Sequence, residues 1–270
     1  MTPREVLKSK RRIIIKVGTA LLTHENGKVN LLRLEKLARV AADLQQQGKE
    51  IIIVSSGAVG AGLGKLKMTE KPGSIAAKQA LAAIGQAALL RMYETFFDEY
   101  DQRIGQVLLT RDGIEDEKRR KNAVNTLNHL MQMGVIPIIN ENDTVATEEI
   151  EFGDNDLLSA MVADLIDADL LIILTVTDGV YTADPSKHSD ARQVSTVHKA
   201  GEDLKDIQLE GKSNFGSGGM QSKIQAAELC RSNNIDVVIA QGTDPAMLYE
   251  ILDGKEYGTL FVSESTSKQI

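Results

Sequence analysis

Six short apolar runs punctuate the chain, at residues 13–17, 51–54, 106–109, 135–139, 170–175 and 237–240. They are rich in Ile, Val and Leu, and most of their positions are apolar without a break. Unbroken hydrophobicity over so few residues predicts strands covered on both faces, whereas a half-exposed strand alternates. Between the runs lie segments of helical length, at residues 31–47, 75–100, 118–133, 156–168 and 220–233. Strands separated by crossovers of that size pair in parallel, with the helices packed on the sheet. The pattern therefore predicts an α/β protein, a three-layer α/β/α sandwich with a mostly parallel central sheet. Two stretches depart from it. Residues 144–152 alternate like a small hairpin outside the main sheet, and residues 182–217 are rich in turn formers and charges. With no internal repeat and no disordered linker, one domain over residues 1–270 is expected.

Composition narrows the functional classes. The 270 residues are 42% hydrophobic and 26% charged, ordinary for a globular enzyme. A formal charge of −7 and a pI near 5.3 argue against a general attraction to nucleic acid or to an anionic membrane surface. The basic run from Lys118 to Lys121 is flanked by Glu115, Asp116 and Glu117, which suits a solvated helix face with internal ion pairs. Cys230 is the only cysteine, so no intrachain disulfide forms, and the scattered His24, His129, His188 and His198 have no metal-ligand spacing. The opening MTPREVLKSKRR has no signal-peptide core, and no run of apolar residues is long enough to span a bilayer. A cytoplasmic location is expected.

Candidate chemistry collects where strands run into helices, because loop glycines admit a ligand to the backbone and helix N-termini offer free N–H donors to anions. The first such place is IIIKVGT, residues 13–19. Lys16 there sits in an apolar strand, a costly position unless it faces an anion or snorkels to solvent. The second is IIIVSSGAVGAGLG, residues 51–64, where Ser55 and Ser56 lead into a glycine-rich turn. It is neither a Walker A loop, since Val59 stands where the first glycine would be and Leu66 follows Lys65, nor a GxGxxG fingerprint, since Lys65 follows Gly60 and Gly62. The third is SGGMQSK, residues 217–223, with glycines ahead of a helix and Lys223 one turn in. Between them lie two polar clusters, INENDTVA at residues 139–146 and FGDNDLLSA at residues 152–160. Helix capping would occupy one of Asp154, Asn155 and Asp156, leaving others to hold an ammonium group or orient lysines.

Two lysines, two glycine-rich anion sites and a carboxylate cluster suit phosphoryl transfer from ATP to an acceptor that is already nucleophilic. A carboxylate, with a pKa of about 4.3, is ionised at neutral pH and needs no general base. Its difficulty is repulsion: two like charges about 4 Å apart oppose each other by about 4 kcal/mol at an effective dielectric of about 20. Fixed cations are then the main catalytic resource.

IIIKVGT, IIIVSSGAVGAG, KQALAAIGQ (residues 78–86), INENDTVA, GDND, YTADP (residues 181–185) and SGGMQSK together resemble the glutamate 5-kinases of the amino-acid kinase family, in order and over nearly the whole chain. The resemblance implies ATP-dependent phosphorylation of the γ-carboxylate of glutamate to γ-glutamyl phosphate, the first step toward proline. It implies that Lys16 and Lys223 stabilise the transferring group and that Asp156 holds both lysines, with Asp154 a second candidate. Ser56, Asp143 and Asn155 fall at glutamate-binding positions, Asp143 and Asn155 receiving the ammonium and carboxylate ends. Lys16, Thr175, Val176 and the stretch Ser217, Gly218, Gly219, Met220, Gln221, Ser222 and Lys223 fall at the nucleotide site. Mg2+ would arrive with ATP, without a dedicated protein ligand. Residues 1–168 would form the substrate-side lobe and residues 169–270 the nucleotide-side lobe. Proline as feedback inhibitor and a homo-oligomer, dimer or tetramer, are further expectations of the family.

Two positions depart from it. Val176 stands where many relatives have aspartate, which removes a side-chain nucleotide contact that Asp178 or the backbone would replace. The chain also stops at Ile270, and the C-terminal PUA domain that many relatives carry is not expected. The competing readings are a kinase of aspartate or N-acetylglutamate on the same fold, and a non-catalytic amino-acid or nucleotide sensor. A nicotinamide-dependent dehydrogenase lacks its GxGxxG.

Overall fold

The computed structural model describes residues 2–24, 28–68, 72–146, 155–205 and 219–268. Eight strands form one sheet: β1 Arg12–Val17, β2 Glu50–Ser55, β3 Ile104–Leu109, β4 Ile136–Glu141, β5 Leu170–Thr175, β6 Thr196–Val197, β7 Asp236–Gln241 and β8 Thr259–Phe261. Their order is β3-β4-β2-β1-β5-β7-β8-β6, and every neighbouring pair is parallel except β7 with β8. The sandwich and the mostly parallel sheet follow the sequence pattern.

The longer helices are α1 Leu31–Gln46, α2 Ala58–Leu66, α3 Ile75–Asp98, α4 Glu117–Gln132, α5 Asn155–Leu165, α6 Met220–Ser232 and α7 Met247–Leu252. One buried cluster joins α1, α3 and α7 to one face of the sheet through Leu34, Leu37, Leu89, Phe97 and Leu248. A second joins α4, α5 and α6 to the other face through Leu127, Leu158, Val162, Ala226 and Ala227. Local chemistry sets the boundaries. Asn30, Ser74 and Asp116 cap α1, α3 and α4 by accepting the amide N–H three residues on. Beyond α1 and α4, Gly48 (φ 87°) and Gly134 (φ 72°) take the left-handed conformation that ends a helix.

Three expectations need correction, and a fourth lies mostly outside the described residues. Strand β3 is not covered on both faces: it lies at the sheet edge, paired only with β4, and Gln106 and Leu108 are exposed. Strands β6 and β8 were not foreseen, being two and three residues long and too short to register as apolar runs. Residues 144–146 belong to a turn, and residues 147–152 of the expected hairpin lie outside the described residues, as do residues 206–217 of the turn-rich segment. Within the basic run, the partners are not the flanking acids: Arg120 reaches Asp164 on α5 at 2.9 Å, and Arg119 reaches Asp112 at 3.6 Å.

Candidate active site

Parallel strands all deliver their C-terminal ends to one edge of the sheet, and the polar residues foreseen in the sequence gather there. Lys16 is the penultimate residue of β1, opposite Val54 on β2 and Ile173 on β5, so it stands in the middle of the sheet. It is 4% exposed. A lysine so placed must meet a counter-charge. That counter-charge is Asp156 in the first turn of α5, whose Oδ1 lies 2.5 Å from the Lys16 ammonium. The other carboxylate oxygen, Oδ2, lies 2.8 Å from the ammonium of Lys223, one turn into α6. Asp156 is fully buried and thus clasps two lysines that are 207 positions apart in the numbering, one per oxygen. Ser222 adds a hydroxyl donor to Oδ2 at 3.1 Å and is also within 2.9 Å of the Gly219 carbonyl.

Two features leave room for an anion beside the lysines. A Cβ on Gly18 would lie 3.7 Å from the Lys16 ammonium, so glycine keeps that approach clear. The N-cap residue of α6 is Gly219, which has no side chain of its own to cap the first N–H groups.

Next to Asp156, Asn155 opens a second cluster. Its amide nitrogen donates to the Ser55 carbonyl at 2.9 Å, the Ser56 hydroxyl at 3.0 Å and Asn140 Oδ1 at 2.8 Å. The ends of β2, β4 and α5 thereby meet on one side chain. Behind them the Tyr93 phenol lies 3.0 Å from Ser55 Oγ. Full burial raises the Tyr93 pKa, the bond to Ser55 opposing this, so the phenol stays neutral. Asp143 lies half-buried in the turn after β4, where the Val145 and Ala146 amides return to the Asn142 carbonyl.

The structure therefore brings together Lys16, Asp156, Lys223 and Ser222 in one group and Ser56 and Asn155 in another, joined by the adjacency of Asn155 and Asp156. Thr175 closes β5, the strand beside β1, and Val176 follows it. The Val176 side chain is 49% exposed and its carbonyl accepts from Gln241 Nε2 at 3.2 Å. Gly219 and Met220 are half-buried and Gln221 is exposed. Asp154, Ser217 and Gly218 lie outside the described residues. Sequence reasoning missed Asn140, only 2% exposed at the end of β4. An amide closing an apolar run was the available signal.

Among the described residues, no group of three or more His, Cys, Asp and Glu side chains is placed to hold a metal ion. No helix among them is long and apolar enough to cross a membrane.

The profile described as "Amino acid kinase family" matches residues 11–241, a stretch that contains Lys16, Asp156 and Lys223. Relatives narrow this further. A glutamate 5-kinase of Clostridium perfringens is 47% identical over 265 residues, covering 97% of this chain and 98% of the relative. One from Caldanaerobacter subterraneus is 51% identical over 251 residues, 93% of this chain and 68% of the relative, and one from Listeria innocua is 46% identical over 97% and 96%. The chain belongs to the glutamate 5-kinases. Among solved structures, a UMP kinase from Ureaplasma parvum superposes with a TM-score of 0.64 at 16% identity, covering 94% of this chain and 99% of the other. An isopentenyl phosphate kinase from T. acidophilum superposes with 0.65 at 16% identity, covering 93% and 99%. These two establish the fold.

Proposed function

We propose that this chain transfers the γ-phosphoryl group of ATP to the side-chain carboxylate of glutamate, with the Lys16–Asp156–Lys223 cluster as its catalytic centre. A glutamate oxygen attacks the γ-phosphorus, the bond to the β,γ-bridging oxygen breaks, and ADP and γ-glutamyl phosphate leave. The acceptor is ionised already, so the protein supplies positive charge and alignment and no base. Lys16 and Lys223 would touch the transferring group, while Asp156 would set their separation and direction and fix them before the substrates arrive. The single observation that carries the reading is the two-ended grip of Asp156, with 2.5 Å to one ammonium and 2.8 Å to the other.

Ser56, Asp143 and Asn155 would bind glutamate on the β2–β4 side of Lys16. Thr175, the Val176 backbone and the start of α6 would bind ATP on the β5–β7 side, which assigns residues 1–168 to the substrate lobe and residues 169–270 to the nucleotide lobe of one continuous sheet. Mg2+ would arrive with ATP, since this ion is commonly held by substrate phosphates and water with one or two carboxylates. When bound it neutralises charge on the phosphates. Proline, with the same α-ammonium and α-carboxylate as glutamate, would compete at the acceptor site as a feedback inhibitor. A homo-oligomer in the cytoplasm is carried over from the family resemblance alone.

ADP release from ATP and Mg2+, measured with glutamate, aspartate and N-acetylglutamate in parallel and with hydroxylamine to trap the acylphosphate, tests the reading. Hydroxamate from glutamate alone is expected. Hydroxamate from another acceptor in preference would replace glutamate with that substrate, and none from any acceptor by folded protein would end the kinase assignment.

A further inference from the structure

The acceptor cluster is held from behind by α3, a helix with no residue in the proposed catalytic or glutamate-binding set. Gln86, half-buried on α3, accepts at Oε1 a hydrogen bond of 2.6 Å from Asn140 Nδ2. Asn140 in turn accepts at Oδ1 from Asn155 Nδ2 at 2.8 Å and from the Glu141 backbone N–H at 2.9 Å. Asn155 Nδ2 continues to Ser56 Oγ at 3.0 Å and to the Ser55 carbonyl.

We propose that Gln86 is a positioning residue for the acceptor carboxylate reaction, acting through Asn140 to set the orientation of Asn155 and Ser56. This rests on the glutamate site described above. The argument is one of donor and acceptor polarity. An amide side chain has a donor end and an acceptor end, and a buried one must match both. The Glu141 backbone N–H holds the Asn140 oxygen on the Asn155 side, and Gln86 supplies the acceptor that the Asn140 nitrogen then needs on the α3 side. Asn155 must then turn its nitrogen into the cluster, where three acceptors surround it. Its oxygen is left as the end that faces the substrate, able to accept from an N–H donor such as the glutamate ammonium. Take away the acceptor at position 86, and the Asn140 nitrogen is left in a 2%-exposed environment without its partner. It is then drawn toward another acceptor, which shifts Asn140 against Asn155, although the Glu141 N–H and the Ser55 carbonyl still set the sense of the two amides.

Helix α3 is well placed to hold this relay. Two turns beyond Gln86, on the same face, Tyr93 meets Ser55 Oγ, so one helix braces the ends of both β2 and β4. The residue before Gln86, Gly85, packs against the backbone of α2, where an added Cβ would lie 1.7 Å from the Ala58 carbonyl oxygen. This close contact fixes the backbone of Gln86 relative to α2.

The test compares wild type with Gln86→Met, which keeps length but removes the acceptor, and Gln86→Glu, which keeps an acceptor oxygen at the same reach. KM for glutamate, KM for ATP, kcat and the melting temperature are read for each. Loss of a buried donor's partner is expected to raise the glutamate KM of Gln86→Met by about tenfold, with kcat within about twofold and the ATP KM unchanged. Gln86→Glu is expected to restore the glutamate KM to within about threefold of wild type. A role confined to packing would lower the melting temperature of Gln86→Met without moving the glutamate KM, and that result overturns the proposal. An equal rise in the KM of ATP, or no recovery with Gln86→Glu, overturns it as well. If wild type itself neither turns over nor binds glutamate, it is the functional reading that fails, a result separate from any difference between the variants.

Discussion

Gly85 and Ala58 meet backbone to backbone: a Cβ on residue 85 would fall 1.7 Å from the Ala58 carbonyl oxygen and 2.4 Å from the Gly62 nitrogen. The contact is reciprocal, because a Cβ on Gly62 would lie 2.1 Å from the Leu81 carbonyl oxygen. Helices α2 and α3 therefore cross at a pair of glycines, and no side chain flexes to relieve an intruding methyl. Helix α2 follows directly on Ser56, and α3 carries Gln86 and Tyr93, so this crossing also sets the geometry of the acceptor cluster. Gly85→Ala is expected to cost roughly 2 kcal/mol or more by overpacking, lowering the melting temperature by roughly 5 °C, and to raise the glutamate KM. Gly73→Ala, where nothing lies within 4 Å of the added Cβ, is the control. Equal melting temperatures for the two variants would contradict the close crossing.

The lysines and their carboxylate should separate catalysis from stability. Lys223→Met removes a charge proposed to touch the transferring phosphoryl group, so kcat should fall by about 10²-fold or more while the glutamate KM changes little. Asp156→Asn has a different consequence. It leaves the 4%- and 7%-exposed Lys16 and Lys223 without their shared negative charge, and breaking a buried pair in this way costs about 3 kcal/mol or more. Urea unfolding should show a lower midpoint for Asp156→Asn. A higher glutamate KM at unchanged kcat for Lys223→Met would remove Lys223 from the transition state.

For Asp143 the expected effect lies on the binding side. Asp143→Ala should raise the glutamate KM by about tenfold or more, because the proposed charged partner of the substrate ammonium is lost. The ratio of kcat/KM for glutamate over N-acetylglutamate should shrink in the same variant, since discrimination depends on pairing that ammonium. A drop in kcat alone, with KM and the ratio unchanged, would place Asp143 outside the acceptor site.

The central strands and five of the helices were legible because each buries a continuous or periodic apolar face, and burial writes itself into residue type. Lys16 was legible for the opposite reason, as a charge inside such a run. Strands β6 and β8 left no such signature: Thr196–Val197 and Thr259–Phe261 are held in the sheet by neighbours distant in sequence. Exposure of Gln106 and Leu108 on β3 depends on strand order, which local patterning does not encode. In the site, the pairing of Lys16 with Lys223 through Asp156 rested on family resemblance, and the coordinates supply its geometry. Gln86 was visible only as the last residue of the motif KQALAAIGQ, and its role was not, because that lies in one contact with Asn140, 54 residues away.

Two buried acids that take no part in the proposed chemistry are expected to give the protein an alkaline limit. Cys230 is fully buried on α6, and burial first, then the nearby charge of Asp164, raises its thiol above the ordinary value of 9.0. Tyr93 is raised by burial above 10.0, with the Ser55 bond acting in the opposite direction. Both groups keep their protons in the folded chain at a pH where the unfolded chain has lost them. The unfolded state then binds fewer protons, so unfolding becomes easier as pH rises. The contribution is fully present below about pH 9, is lost first through Cys230 and then, above about pH 10, through Tyr93, at up to about 1.4 kcal/mol per pH unit for each group. Urea midpoints should therefore decline above pH 9, and the decline between pH 9 and 10 should be shallower in Cys230→Ala, which has no thiol to titrate. At pH 8 a disulfide-exchange reagent should label Cys230 only as the protein unfolds. Labelling of native protein within seconds, or the same pH slope in Cys230→Ala, would show that the thiol is not the group that sets this limit.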